Sequence, residues 1–128
     1  MKLALIIGIN YIGTSSQLYG CINDAMNVKR LLIDHFAYAP ENISLLTDET
    51  EKKPTRNNIL GELYKLLVQS HNENVDHIWI SYSGHGTWTP DTNGDELDKK
   101  DELIVPLDFR MISDDTLHHI NRLIQLKT

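Results

Sequence analysis

A chain of 128 residues, 41% hydrophobic and 23% charged, has the make-up of one globular domain able to bury a core. Its one cysteine, Cys21, excludes an internal disulfide and fits a reducing compartment. The net charge of −6 sits in one stretch: residues 91–115 hold nine acidic and three basic side chains, and the remainder nine of each. That pattern speaks for a bound cation and against nucleic acid.

In chain order, Lys2–Ile9 is a near-continuous apolar run ending beside Gly8, the pattern of a buried strand in a parallel sheet. Residues 10–22 read as loop. Asn23 or Asp24 is the expected N-cap of a helix whose Ala25, Val28, Leu31, Leu32 and Phe36 recur at helical spacing. Ile43–Leu46 is a short strand. Thr55 precedes a second helix with Ile59, Leu63, Leu66 and Leu67 on its apolar side. Ile78–Tyr82, rich in β-branched and aromatic residues, reads as another buried strand, with Trp79 and Tyr82 as core or pocket wall. An acidic loop, a second apolar run (Leu103–Leu107) and a third helix from Asp114 (Leu117, Ile120, Leu123, Ile124) follow. Strands alternating with helices mean βαβ units and a mostly parallel sheet. The order ends on a helix with no strand after it to receive it. Leu3–Ile9 is preceded by one lysine and lacks a small-residue cleavage site, and no apolar stretch approaches the ~18 residues of a membrane span. A cytoplasmic protein that binds neither membrane nor nucleic acid is the expectation.

Ser83-Gly84-His85-Gly86 follows the third strand directly. Glycines on both sides permit a sharp turn and close approach of a ligand. They leave the imidazole at the sheet edge where α/β proteins place their chemistry. A packed histidine satisfied by backbone groups is the competing reading and suits that setting less well. The other histidines (35, 71, 77, 118, 119) fall on helices or strand edges, without a metal spacing.

LIIGINYIG with LYGCINDA, then ISYSGHGT, then an acidic loop leading into DELIVPLDF and SDD, together resemble the p20 region of metacaspases, the caspase-like cysteine endopeptidases. The resemblance runs over essentially the whole chain. It implies an α/β fold, a caspase-like three-layer sandwich with a mostly parallel sheet that lacks its C-terminal strands, so that residues 1–128 form a single, incomplete p20 domain. It implies that His85 is the catalytic histidine and that the Gly86 N–H belongs to the oxyanion hole. Cys21, Asp24 and Ser83 match the lining of a pocket for a substrate arginine or lysine, where a carboxylate is physically required. Asp101, Asp114 and Asp115 match carboxylates that hold an activating Ca2+.

The family's nucleophile lies in a DxCHxG-type motif on the next strand, and no such motif occurs in these residues. A caspase-type histidine precedes its cysteine by about 50 residues, which puts the thiol near position ~135. The expectation is therefore a peptidase domain inactive by itself, completed by a second polypeptide that supplies the missing strands. A non-catalytic homologue that binds basic peptides or regulates a peptidase is the alternative. Cys21 stays open between pocket lining, inert packing and a recruited nucleophile. The acidic loop 91–98 departs from the EF-hand pattern, Asp108 reads as a turn brace, and no phosphate-binding glycine loop is present.

Overall fold

The computed structural model describes the backbone of residues 1–90 and 100–127, and side chains outside 87–102, 114, 121 and 123–127. Three parallel strands, β1 (Lys2–Gly8), β2 (Ile43–Thr47) and β3 (His77–Ser83), lie in the order β2-β1-β3. Helix α1 (Cys21–Phe36) connects β1 to β2, and α2 (Arg56–Asn72) carries the chain back over β1 to β3. The two crossovers run in opposite directions across the sheet, so a right-handed sense for each puts the helices on opposite faces. The core follows that division. Ala4 and Ile6 pack with Ala25 and Leu32 of α1, whereas Leu3, Leu5 and Ile7 pack with Ile59, Leu63 and Leu66 of α2. Burial of β1 on both faces explains its unbroken apolar sequence.

A second sheet is antiparallel. It is built from β4 (Gly86–Pro90), β5 (Lys100–Ile104) and β6 (Ile112–Ser113), in that order. Helix α3 (Asp114–Lys127) follows β6 at once and adds Leu117 and Ile120 to the α2 side of the core. Residues 103–107 divide: Leu103 and Ile104 end β5, and Val105 and Pro106 are buried just beyond it.

Several expectations need correction. Helix α1 starts at Cys21, with Gly20 rather than Asn23 or Asp24 at its N-cap. The capping acceptor comes from a distance: Asn10 Oδ1 receives the N–H groups of Cys21 (2.9 Å) and Ile22 (3.3 Å). Within α1, Leu31 and Phe36 are exposed; Ala25 and Leu32 are buried and Val28 partly so. The third strand is not buried as a whole. Trp79 (37%) and Ile80 (43%) are exposed, because β3 borders the sheet among the described residues and is covered less than the central β1. Trp79 is therefore not core. Tyr82 does pack against it. Helix α2 begins directly after Thr55, whose side chain caps it by accepting the Asn58 N–H (3.3 Å), and Asp108 accepts the Arg56 N–H (3.1 Å), so the brace falls on a helix N-terminus.

Candidate active site

Parallel strands point their C-terminal ends to one edge, and in this sheet Gly8 of β1 lies beside Ser83 of β3. The first turn of α1 settles directly on that edge. A Cβ added at Gly8 would lie 2.5 Å from the Cys21 carbonyl oxygen and 2.7 Å from the Ala25 Cβ, so only glycine admits this approach. Asp24, in the same turn, is exposed, and its Oδ2 accepts a hydrogen bond from Ser83 Oγ at 3.2 Å. The helix N-terminus favours a negative charge there. Cys21 opens that turn and is buried. The three residues expected to line one pocket thus meet where β1, β3 and α1 converge.

His85 follows two residues after Ser83. Its half-buried ring places Nε2 at 2.7 Å from the Ser16 carbonyl oxygen. A carbonyl only accepts, so Nε2 carries the proton of the neutral ring and the lone pair sits on Nδ1. The ring centroid is 4.8 Å from that of Tyr11, tilted by 39°. Gly86 opens β4 opposite Ile104. Among the described residues a Cβ there would find only ordinary contact, 3.7 Å from the Leu103 carbonyl oxygen, so packing against them does not require that glycine. Gly84 is different. A Cβ on it would lie 2.7 Å from the Tyr82 hydroxyl and 3.0 Å from that of Tyr11.

Those two hydroxyls are 3.1 Å apart beneath the turn. Tyr11 donates to the Val105 carbonyl (2.6 Å) and accepts the His85 N–H (2.9 Å). Tyr82 donates to the His85 carbonyl (2.6 Å) and accepts the Val105 N–H (3.3 Å). Burial pushes both phenols above the ordinary tyrosine range, Tyr82 strongly and with its Tyr11 neighbour adding to the rise, so both stay protonated at neutral pH. Tyr11 is fully buried and left-handed (φ 54°), a conformation rare for an aromatic residue. Asp48, directly after β2, accepts the N–H groups of Asn10 (2.8 Å) and Ile12 (3.1 Å) on either side of it.

Sequence reading missed Asn10, Tyr11, Ser16 and Asp48. All lie in loops at strand ends, and their roles depend on partners 11 to 74 residues away, for which local spacing gives no signal. The only hint was position, because the first and third loops of a parallel sheet share an edge.

The expected calcium carboxylates are placed less completely. Asp101 lies in β5, two residues before Leu103, which pairs with Ser113; Asp114 and Asp115 come directly after Ser113. The backbone therefore carries all three to one corner of the antiparallel sheet. Asp115 is exposed, and the side chains of Asp101 and Asp114 lie outside the described residues, as does the acidic loop 91–98. His35, His71, His77, His118 and His119 are all exposed. Among the described residues no helix is long and apolar enough to cross a membrane.

Comparison with known proteins bears on this arrangement. The family model "Metacaspase, peptidase C14 domain" matches residues 2–128. Metacaspase-1 of Cryptococcus neoformans is 50% identical over 125 residues, which cover 93% of this chain and 27% of that protein. Metacaspase-1B of Neurospora crassa is 46% identical over 123 residues, 91% of this chain and 28% of that protein. Metacaspase-1A of Aspergillus fumigatus is 47% identical over 125 residues, 93% and 30%. The chain thus spans less than a third of the length of these relatives. A crystal structure of a Geobacter sulfurreducens protein superposes with a TM-score of 0.70 at 27% identity, covering 93% of this chain and 44% of that one.

Proposed function

The chain belongs to the metacaspase, peptidase C14, family, and from that premise we propose that it is the histidine-bearing p20 portion of a calcium-dependent cysteine endopeptidase that cleaves after arginine or lysine. Its caspase-like three-layer α/β sandwich serves as the scaffold. The observation that carries the reading is the convergence at one sheet edge of an imidazole with Nδ1 as its basic nitrogen and a carboxylate already held by a hydroxyl.

In the proposed reaction His85 takes the proton of a cysteine thiol, and the thiolate attacks the scissile carbonyl. The Gly86 N–H donates to the oxyanion of the tetrahedral intermediate. His85 then returns the proton to the leaving amine, and water releases the acyl group in a second, similar step. Ser16 keeps the proton on Nε2, which leaves Nδ1 as the atom that receives and returns it. Asp24 pairs with the guanidinium or ammonium of the substrate, Ser83 fixes that carboxylate, and Cys21 lines the pocket wall. The thiol comes from a segment bearing the family's DxCHxG-type motif, in the same polypeptide or in another one docked to it. These 128 residues by themselves are then without peptidase activity.

Asp24→Asn tests the pocket: in the presence of that thiol segment, kcat/KM for arginine-ended peptides should fall about 100-fold, roughly 3 kcal/mol. Undiminished preference for arginine in the variant would overturn the assignment. A binding-only reading rests on the same Asp24–Ser83 pair, which stands without any thiol. Calorimetric binding of basic peptides with no hydrolysis once the thiol segment is present would favour it.

Asp101, Asp114 and Asp115 would hold the calcium ion, their carboxylates providing hard oxygen ligands at one corner of the second sheet. When bound, the ion supplies positive charge that ties β5 to the start of α3. Calcium at about 100 times its Kd should raise the Tm by roughly 5 °C or more, and Asp114→Ala/Asp115→Ala should remove the rise. An unchanged Tm at millimolar calcium would contradict the assignment.

A further inference from the structure

The peptide units around His85 are among the loosest a chain can have, because glycines flank it on both sides. An acid–base residue needs the opposite, a ring held to within a fraction of an ångström. The phenols beneath the turn resolve that conflict.

Each hydroxyl has one proton. The shortest contacts run to two carbonyl oxygens, from Tyr11 to Val105 and from Tyr82 to His85, both at 2.6 Å. Carbonyls only accept, so both protons are committed there. The phenol oxygens are then free to receive the N–H groups of His85 and Val105. Both main-chain polar groups of His85 thereby meet a tyrosine hydroxyl, and both of Val105 do the same, with the Val105 N–H shared between Tyr82 and the His85 carbonyl (3.4 Å). The pair fastens the glycine-flanked turn to the segment after β5.

The first loop completes the grip. Tyr11 is bent into a left-handed conformation that Asp48 secures through the N–H groups on either side, and this sets the phenol ring against the imidazole. Thr14 closes on the Tyr11 carbonyl through both its N–H (3.1 Å) and its hydroxyl (2.8 Å). Two residues on, the Ser16 carbonyl meets Nε2. The absence of a side chain at Gly84 follows from the same construction, since the two hydroxyls occupy the space a Cβ would need.

We propose that Tyr11 and Tyr82 are positioning residues for His85: a neutral phenol pair that immobilises its peptide groups so that the imidazole presents Nδ1 toward the sheet edge in a single tautomer. This rests on the reading of His85 as the acid–base residue. The pair touches neither substrate nor thiol and acts only through His85.

The test begins on the chain itself, labelled with 15N-histidine and 15N-amides. Tyr11→Phe and Tyr82→Phe keep each ring and remove one hydroxyl. Phe109→Leu is the control, because the Phe109 ring lies 5.7 Å from that of Tyr11 but takes no part in these hydrogen bonds. The His85 ring signals, assigned by their loss in His85→Gln, should report the Nε2–H tautomer in the wild type and a mixture of tautomers in both Phe variants. Amide exchange of His85 should quicken at least tenfold in Tyr11→Phe relative to amides of β1. Phe109→Leu should lower the Tm and leave the tautomer unchanged. Ring signals and His85 exchange that stay at wild-type values in both Phe variants, or that move as much in Phe109→Leu, would overturn the clamp. With the thiol segment supplied, the Phe variants should lose about tenfold in kcat at constant KM, with a displaced pH profile. Hydrolysis that survives His85→Ala would overturn the acid–base reading and with it the catalytic purpose of the clamp, whatever the spectra show.

Discussion

Alanine in place of His85 is expected to slow hydrolysis of arginine- and lysine-ended peptides by about 10³-fold or more, measured as kcat with the family's thiol segment present. The magnitude follows from two proton transfers that depend on one ring. Without the imidazole the thiol is mostly un-ionised at neutral pH, and the amine leaves without a proton; general acid–base assistance alone contributes about 10²–10⁴-fold. A thousandfold loss corresponds to roughly 4 kcal/mol of transition-state stabilisation. KM should change little, because substrate affinity is assigned to Asp24 and Ser83, on the other side of Gly84. Stability should change little as well. The ring is only half-buried, and its side-chain hydrogen bond goes to one loop carbonyl. A variant that stays folded and binds substrate but has lost the chemical step is the expected signature.

The second large effect concerns Gly8→Ala, which should destabilise the chain by about 3 kcal/mol in urea unfolding. The new methyl meets the Cys21 carbonyl oxygen at 2.5 Å and the Ala25 Cβ at 2.7 Å. One of these atoms is backbone and the other a side-chain stub, so neither can rotate away. Helix α1 must lift from the central strand, and Cys21 and the Asp24–Ser83 contact move with it. The loss should therefore reach the pocket as well as the core. Gly61→Ala gives the contrast within the same chain. Gly61 lies inside α2 with nothing within 4 Å of an added Cβ, so alanine should stabilise by about 0.5–1 kcal/mol.

The contrast between β1 and β3 shows what the sequence made legible. β1 is a near-continuous apolar run and β3 a short run of β-branched and aromatic residues, and both read as buried strands. The reading holds for β1, where Leu3, Leu5 and Ile7 face α2 and Ala4 and Ile6 face α1. It fails for β3, whose Trp79 and Ile80 are exposed, because composition carries no information about a strand's place in the sheet order. The helices show the same limit. The start of α2 after Thr55, its local cap, was visible; the cap of α1 comes from Asn10, eleven residues upstream of Cys21, and was not.

The candidate site divides along similar lines. Ser83, Asp24 and Cys21 were expected together on the strength of the family resemblance, and parallel strand ends do bring them together. The surroundings of His85 were invisible beforehand. Tyr11 stands in a loop of serines and glycines where no periodicity marks it, and its left-handed backbone is held by Asp48 from the end of another strand. Tyr82 looked like a core aromatic; its ring is that, and its hydroxyl does something further. Of the antiparallel sheet only the apolar run Leu103–Leu107 was legible, since the two residues of β6 are too few to give a pattern.

The account turns on the claim that His85 serves a thiol other than Cys21. The direct measurement is hydrolysis of arginine- and lysine-ended fluorogenic peptides by the 128-residue chain, alone and with a segment carrying the DxCHxG-type motif, in wild type, Cys21→Ala and His85→Ala. The account predicts no turnover by the chain alone, turnover once the segment is added, little change in Cys21→Ala and loss in His85→Ala. Turnover by the unsupplemented chain that disappears in both Cys21→Ala and His85→Ala would contradict it, and would make Cys21 the nucleophile of a self-sufficient enzyme.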